Sequence, residues 1–428
     1  MGLASLPKLN AFLPFLSIDN VIPLESSVSP NFFAVLSSSN NPRLLSLSDV
    51  HELSIRSTID KYKEILIITL SLKLSSLIKA TGKPKQRLGI ESRSNELILI
   101  LNPNSQGGAT GKNWKLTYEK VKKFLPKPHR IIFTKKANDG TNVTRKLLEQ
   151  GYCNIAAIGG DGTINEVANG FFNIKLKNRS ALDPMKFRPE RRLISVNAKS
   201  ALWIIPSGSR NVFASSLGIM HQDTNAFRRI SQMKKRKIDV IGVTIADRNN
   251  PTITRSRIVL NAAEMGVGAE IISRSKKVRG KINNRFLSTI AGIVSTLPTY
   301  ESNECDIIMD GGRKITSNVT MAVVANGKFL GGGFNAAPRA KITDGKLDVV
   351  IMKSSGSLKM LQKLVEMKGD SEYLDEEDIL YYQASQVIFL PKNRNMTVSL
   401  DGEPVGILPA VFKLYHNALT INSEASHE

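Results

Sequence analysis

Between residues 96 and 218, short apolar runs alternate with helix-patterned segments, and glycine turns end several of the runs. ELILILN (96–102) and CNIAAIGG (153–160) carry no polar face, the pattern of strands covered on both sides. RIIFT (130–134) and ALWIIPSG (201–208) are of similar length. Helical patterns fall at 113–125, NVTRKLLEQG (142–151), INEVANGFF (164–172) and NVFASSLG (211–218). This alternation predicts an α/β fold, a parallel sheet with helices on its faces. Residues 175–199 are polar and basic and hold Pro184 and Pro189, so they read as an inserted loop.

Beyond about Lys234 the rhythm changes. Strand patterns recur at 238–246, 255–264, 305–310, 318–326, 346–353, 384–391, 396–400 and 410–415, most joined by Gly, Asn or Asp turns. Only 269–297 and 356–368 read as helical. The pattern predicts a C-terminal β-sandwich domain. Residues 1–93 are Ser- and Leu-rich and poor in glycine, and TGKPKQR (81–87) reads as a basic linker. Three regions result: a poorly ordered or peripheral extension (1–93), an α/β domain (94–233) and a sandwich (234–428). No internal repeat is visible.

Composition excludes some classes. Cys153 and Cys305 lie in no metal-ligand spacing and the five histidines are scattered, so neither a disulfide framework nor a zinc site is expected. Reduced thiols fit a cytoplasmic protein. The longest apolar stretch, 65–78, is short and contains Lys73, which argues against a membrane span. AFLPFL after Lys8 is too short a run, with no convincing cleavage site, for a signal peptide. Lys and Arg number 59 against 37 Asp and Glu, a formal charge of +22. That excess suits an anionic partner, though a merely basic surface explains it equally well.

Four loops carry chemistry. The first is Gly159-Gly160-Asp161-Gly162-Thr163 with Ile164-Asn165-Glu166, between a buried strand and a helix. Glycines there let backbone N–H groups approach a phosphate, and the helix N-terminus favours an anion. A lone GGDG is as well explained by a tight capped turn; the whole string after a strand is more specific. The second is Asn102-Pro103-Asn104-Ser105-Gln106-Gly107-Gly108, at a strand's carboxyl end where α/β sheets bind ligands. It lacks the G-x-x-x-x-G-K-[ST] pattern. The third is Pro206-Ser207-Gly208-Ser209-Arg210-Asn211, where Ser209 suits an N-cap or a phosphate. The fourth is Ser399-Leu400-Asp401-Gly402-Glu403, ordinarily a β-turn.

In that order, with GGGFNAAPRAKITDGKLDVVI (331–351) before the last, these motifs resemble the diacylglycerol kinase catalytic superfamily, from about Glu96 onward. The superfamily includes bacterial soluble lipid kinases, sphingosine kinases and ceramide kinases, with NAD kinases as distant relations. The resemblance implies a nucleotide-binding α/β domain and a lipid-substrate sandwich with the active site between them, the C-terminal segment returning to that cleft. It implies ATP and Mg²⁺ as cofactors. Nucleotide contacts would come from Asn102, Asn104, Ser105, Thr134, Gly159, Gly160, Asp161, Gly162, Thr163, Ile164, Asn165, Glu166, Ser209, Asn211 and Glu403. Asp401 would be the general base, with Asp161 sharing the role or holding metal. Asp344, with the backbone carbonyls of Lys341 and Lys346, would hold a structural Mg²⁺. Two positions depart from the family's pattern: Ser209 replaces its usual threonine, and Val212 replaces an acidic residue of the metal network, which Asp239 could join.

Phosphoryl transfer asks for positioned phosphates, a metal to absorb charge and a carboxylate for the hydroxyl proton, all of which this set provides. The expected substrate is a lipid alcohol, diacylglycerol-like or sphingoid-like. Residues 271–297 mix six basic residues with apolar ones, as a peripheral contact with an anionic membrane would. An ordinary solvated helix has the same pattern. Lys234-Lys235-Arg236-Lys237 adds to that face or marks a domain junction. A homodimer is possible. The alternatives are an NAD kinase-like enzyme, or a basic lipid- or nucleic-acid-binding protein without catalysis; no nucleic-acid-binding signature is present.

Overall fold

A computed structural model describes residues 32–34, 44–46, 93–174, 193–219, 223–251, 254–279, 285–331, 333–353, 356–367 and 373–423. The chain divides into two units, Met1–Gln86 and Arg87–Glu428. In the first, Phe32–Ala34 pairs antiparallel with Leu44–Ser46. The rest of the N-terminal extension and most of the inserted loop, 175–192, lie outside the described residues.

The second unit opens with strands β1 (Leu97–Leu101), β2 (His129–Phe133), β3 (Asn154–Gly159) and β4 (Ala201–Pro206). They run parallel in the order β2-β1-β3-β4. Side chains alternate along a strand, and both faces of β1 are covered. Leu97, Leu99 and Leu101 pack with Trp114, Val121 and Phe227. Ile98 and Ile100 pack on the other side with Leu147, Val167 and Phe171. Helices α1 (Ala109–Val121), α2 (Asp139–Glu149), α3 (Asp161–Gly170), α4 (Val212–Ser216) and α5 (Asp223–Arg228) make up these layers.

The remainder is antiparallel. Its elements are β5 (Lys234–Asp247), β6 (Thr254–Val259), β7 (Ala262–Gly266), α6 (Val267–Arg279), α7 (Arg285–Thr296), β8 (Asn303–Met309) and β9 (Arg313–Ala325). They continue with β10 (Phe329–Leu330), β11 (Phe334–Asn335), β12 (Leu347–Lys353), α8 (Ser357–Glu366), β13 (Ile379–Ala384), β14 (Gln386–Pro391), β15 (Thr397–Leu400) and β16 (Glu403–Ser423). Val243, Ile245, Met265, Ile307, Val349, Phe389 and Phe412 fill the sandwich core.

Three departures from the sequence pattern matter for the site. The run 255–264 is two strands, because the N–H groups of residues 260–262 leave the ladder and turn toward Asp401. The strand expected at 410–415 is the middle of β16, 21 residues long and bulged after Ile407 and Tyr415. Its far end pairs parallel with β4, Ile421 opposite Leu202, so the last strand of the chain extends the α/β sheet. The basic cluster Lys234–Lys237 opens β5 and pairs with residues 420–423 of that same strand. Residues 269–297, expected as one helical stretch, form the two helices α6 and α7.

Candidate active site

Three loops meet at the carboxyl end of the parallel sheet. Gly208 lies so close to Gly160 that a Cβ on it would be 2.3 Å from the Gly160 Cα. The Ser207 N–H donates to the Gly159 carbonyl at 2.9 Å. Asn102 donates through Nδ2 to Thr163 Oγ1 at 3.2 Å. Among the described residues no side chain caps the N-terminus of α3, which opens on a cavity of about 350 Å³. Helix N-termini of this kind favour anions.

Asn102, Asn104, Ser105, Gly160, Asp161, Gly162, Thr163, Glu166, Ser209, Asp401 and Glu403 all line that cavity. The other expected contacts do not. Ile164 is wholly buried in the core with Ile98 and Val167, because it falls on the inner face of α3. Gly159 sits behind the loop, where a side chain would collide with Thr163. Thr134 is buried one strand away, its N–H bonded to the Leu101 carbonyl. Asn211, in the left-handed region at φ 51°, clamps its own turn through both the N–H and the carbonyl of Gly208. Glu166 lines the cavity but spends its carboxylate on the N–H groups of Asn138 and Gly140, holding the start of α2.

Asp401 comes back to the GGDGT helix through tertiary structure. It occupies the β15–β16 turn at φ 47°, and its own N–H donates to the Ala262 carbonyl. Its Oδ2 accepts from Asn165 Nδ2 at 2.6 Å and the Leu260 N–H at 3.0 Å. Its Oδ1 accepts from the N–H groups of Asn261 and Ala262 at 3.0 and 3.1 Å. Burial pushes this carboxyl up to about 6, against the pull of the three backbone donors, and the nearby Asp161 charge adds to the rise. Four donors occupy the roughly four lone-pair sites of a carboxylate. Asp161 differs: its Oδ1 accepts from the Phe213 N–H at 2.9 Å, and the side chain faces the cavity.

Part of the cavity is apolar, lined by Ile271, Ile293, Met321, Leu330, Phe334, Leu364 and Met367, which pack as one cluster, and by Ile272. Arg210 and Lys276 flank the polar end, and Lys276 pairs with Glu403 at 3.5 Å. The sequence motifs did not point to Glu264, which also lines the wall. Burial raises its carboxyl to about 7, the Arg210 charge opposing and the Asp401 charge assisting. A charged residue inside the apolar run NAAEMG was the available signal.

The expected metal turn lies elsewhere. Asp344 is exposed and accepts from the Lys346 N–H at 3.0 Å. Lys341 and Lys346 are exposed as well. Asp239 is wholly buried and accepts from the N–H groups of Gly345 and Asn417 and bonds to His416. Among the described residues, no group of three or more His, Cys, Asp or Glu is arranged to hold a metal.

Residues 96–243 match the diacylglycerol kinase catalytic domain, and residues 261–423 match the YegS C-terminal NAD kinase beta sandwich-like domain. The chain thus carries, in order, a region similar to the catalytic domain and a region similar to the sandwich domain of the diacylglycerol kinase catalytic superfamily. It is a phosphotransferase with an alcohol group as acceptor. The diacylglycerol kinase of Bacillus subtilis is 27% identical over 281 residues, 64% of this chain and 79% of the relative. A protein of Chromohalobacter salexigens, named a probable lipid kinase, YegS-like, is 27% identical over 277 residues, 64% of this chain and 77% of the relative. A crystal structure of a diacylglycerol kinase from Bacillus anthracis shares the fold, at TM-score 0.52 and 22% identity over 76% of this chain and 96% of that one. In this chain the two matched domains share one cavity, because β16 joins their sheets.

Proposed function

We propose that this kinase transfers the γ-phosphoryl group of ATP to the hydroxyl of a membrane lipid. The supporting observation is the cavity itself, which combines an uncapped helix N-terminus ringed by glycine loops, two aspartates and an apolar part. The polar part suits a nucleotide's phosphates and the apolar part an acyl or alkyl chain. Asn102, Asn104, Ser105, Gly160, Gly162, Thr163 and Ser209 would contact the nucleotide.

The aspartates divide the work. Asp161 keeps one oxygen for the cavity, so it is the acceptor for the substrate hydroxyl's proton. Asp401, filled by four donors, fixes Asn165 and the 260–262 turn and lends negative charge. Mg²⁺, when bound with the nucleotide, neutralises charge developing on the phosphates. Mg²⁺ held by the nucleotide's phosphates and water, as it commonly is, would leave the free Asp161 oxygen for the proton. A structural divalent ion would draw on the Asp344 carboxylate with the backbone carbonyls of Lys341 and Lys346, the all-oxygen donor type such ions take.

The membrane contact uses α7 and α8. Leu287, Ile290 and Val294 on α7, and Leu358, Leu361 and Val365 on α8, are exposed. Ile293 of α7 and Leu364 of α8 line the cavity, so both helices carry an apolar row outward and another inward. With Lys276 and Lys277 nearby and a net charge of +22, the surface suits an anionic bilayer. None of the described helices is long and apolar enough to cross a membrane.

The test is incubation of the full chain with radiolabelled ATP and a lipid extract. Label in the organic phase supports the reading; NADP in the aqueous phase after adding NAD would replace it. Asp161→Asn should abolish transfer with nucleotide binding kept. If Asp161→Asn retains wild-type kcat while Asp401→Asn loses it with an unchanged Tm, the roles are reversed.

A further inference from the structure

Glu264 is the polar group the proposed transfer leaves unexplained. Side chains on β7 alternate: Ala263 and Met265 enter the sandwich core, while Ala262 and Glu264 face the cavity. Glu264 is 4% exposed. Its carboxylate makes no hydrogen bond to any of the described residues. Arg210 acts on it only as a nearby charge, and that guanidinium reaches Thr289 Oγ1 at 3.5 Å. A buried carboxyl without a donor is costly to a fold, and retaining one is explained when a ligand completes it.

The position says which part of the ligand. Glu264 is in register with Ser399, two residues before Asp401, on the side of the cavity where the proposed transfer puts the reacting hydroxyl. On its other side the wall becomes Met321 and Ile271. It therefore reads the headgroup atoms between the hydroxyl and the chain. Beside its free hydroxyl, diacylglycerol presents an ester, which only accepts hydrogen bonds. A lipid with a second hydroxyl, or with an ammonium, presents a donor.

Resting on the lipid-kinase reading, we propose that Glu264 is a specificity-determining residue that selects lipid alcohols bearing a hydrogen-bond donor next to the phosphorylated hydroxyl, and disfavours diacylglycerol. A site built to bond a polar group rejects analogues that lack it far more strongly than an apolar pocket distinguishes size.

The test measures kcat/KM in detergent micelles with radiolabelled ATP on three lipids: a long-chain 1,2-diol, the 2-amino-1-alcohol of the same chain, and a diacylglycerol. Wild type should favour the two donor-bearing lipids over diacylglycerol by about tenfold or more. In Glu264→Gln the amide oxygen still accepts but the charge is gone. The amino-alcohol preference should collapse about tenfold, and the diol preference should shrink less. Glu264→Asp, which shortens the reach, should erode both and serves if the first variant folds poorly by thermal melt. Equal preference ratios in wild type and variants would overturn the assignment. Labelling of diacylglycerol with no preference for either donor would overturn it while leaving the kinase reading intact. No labelled lipid in any arm would overturn both.

Discussion

Replacing Gly208 with alanine tests whether the two glycine loops form one phosphate cradle. The new Cβ would lie 2.3 Å from the Gly160 Cα, 2.7 Å from Asn211 Oδ1 and 3.0 Å from the Gly160 nitrogen. Carbon atoms in contact need about 3.5 Å, so the loops must part by roughly 1 Å. The obstruction is mostly backbone and cannot rotate away. The Ser207–Gly159 bond at 2.9 Å resists the parting, and the Asn211 clamp stiffens the turn that carries Gly208. Overpacking of this kind costs about 1–3 kcal/mol of stability. The larger effect falls on catalysis, since a displacement of about 1 Å costs on the order of 100-fold, or about 2.7 kcal/mol of barrier. The assay is kcat/KM for lipid phosphorylation, with nucleotide affinity by calorimetry and Tm in parallel. Gly312→Ala is the control, since nothing lies within 4 Å of a Cβ there. Wild-type kcat/KM and nucleotide affinity in Gly208→Ala would refute the shared cradle.

Other expectations follow from the same geometry. Protonating Asp401 sets an O–H among four donors, so kcat/KM should fall as pH drops through about 6; a pH–rate profile flat across that value would contradict this. Glu264 has its carboxyl raised to about 7 from an ordinary 4.5, so ionising it opposes folding once pH exceeds the ordinary value. Glu264→Gln should therefore raise Tm at alkaline pH, by an amount equivalent to roughly 3 kcal/mol at most, and leave Tm unchanged near pH 4, where both forms are neutral; melts across pH check the sign. Glu166→Ala removes two bonds that hold the start of α2 and should cost roughly 2–4 kcal/mol in denaturant melts. Leu358→Glu with Val365→Glu should weaken sedimentation with anionic vesicles by about tenfold or more while sparing activity on a short-chain soluble alcohol; unchanged sedimentation would remove α8 from the membrane contact.

The strand–helix alternation, the glycine loops and the β-rich C-terminal half were legible in the sequence, because apolar periodicity and turn chemistry are local properties. So was the suspicion that Asp401 matters, through motif order. The division of the loop residues was not. Gly160 and Thr163 face the cavity while Ile164 faces the core, and that follows from which side of α3 lies against the sheet. Glu166 and Asn211 carry polar groups suited to a nucleotide, yet neighbouring backbone claims them first.

Local sequence, then, determined the elements and the turns that end them. Tertiary structure decided what those turns face. Asn165 and Asp401 meet only because β15 pairs with β7, and the two domains share a cavity only because β16 crosses from the sandwich to lie beside β4. The donors around Asp401 and the lack of one at Glu264 are both products of long-range strand pairing, and no window of neighbouring residues encodes which side chains such pairing brings together.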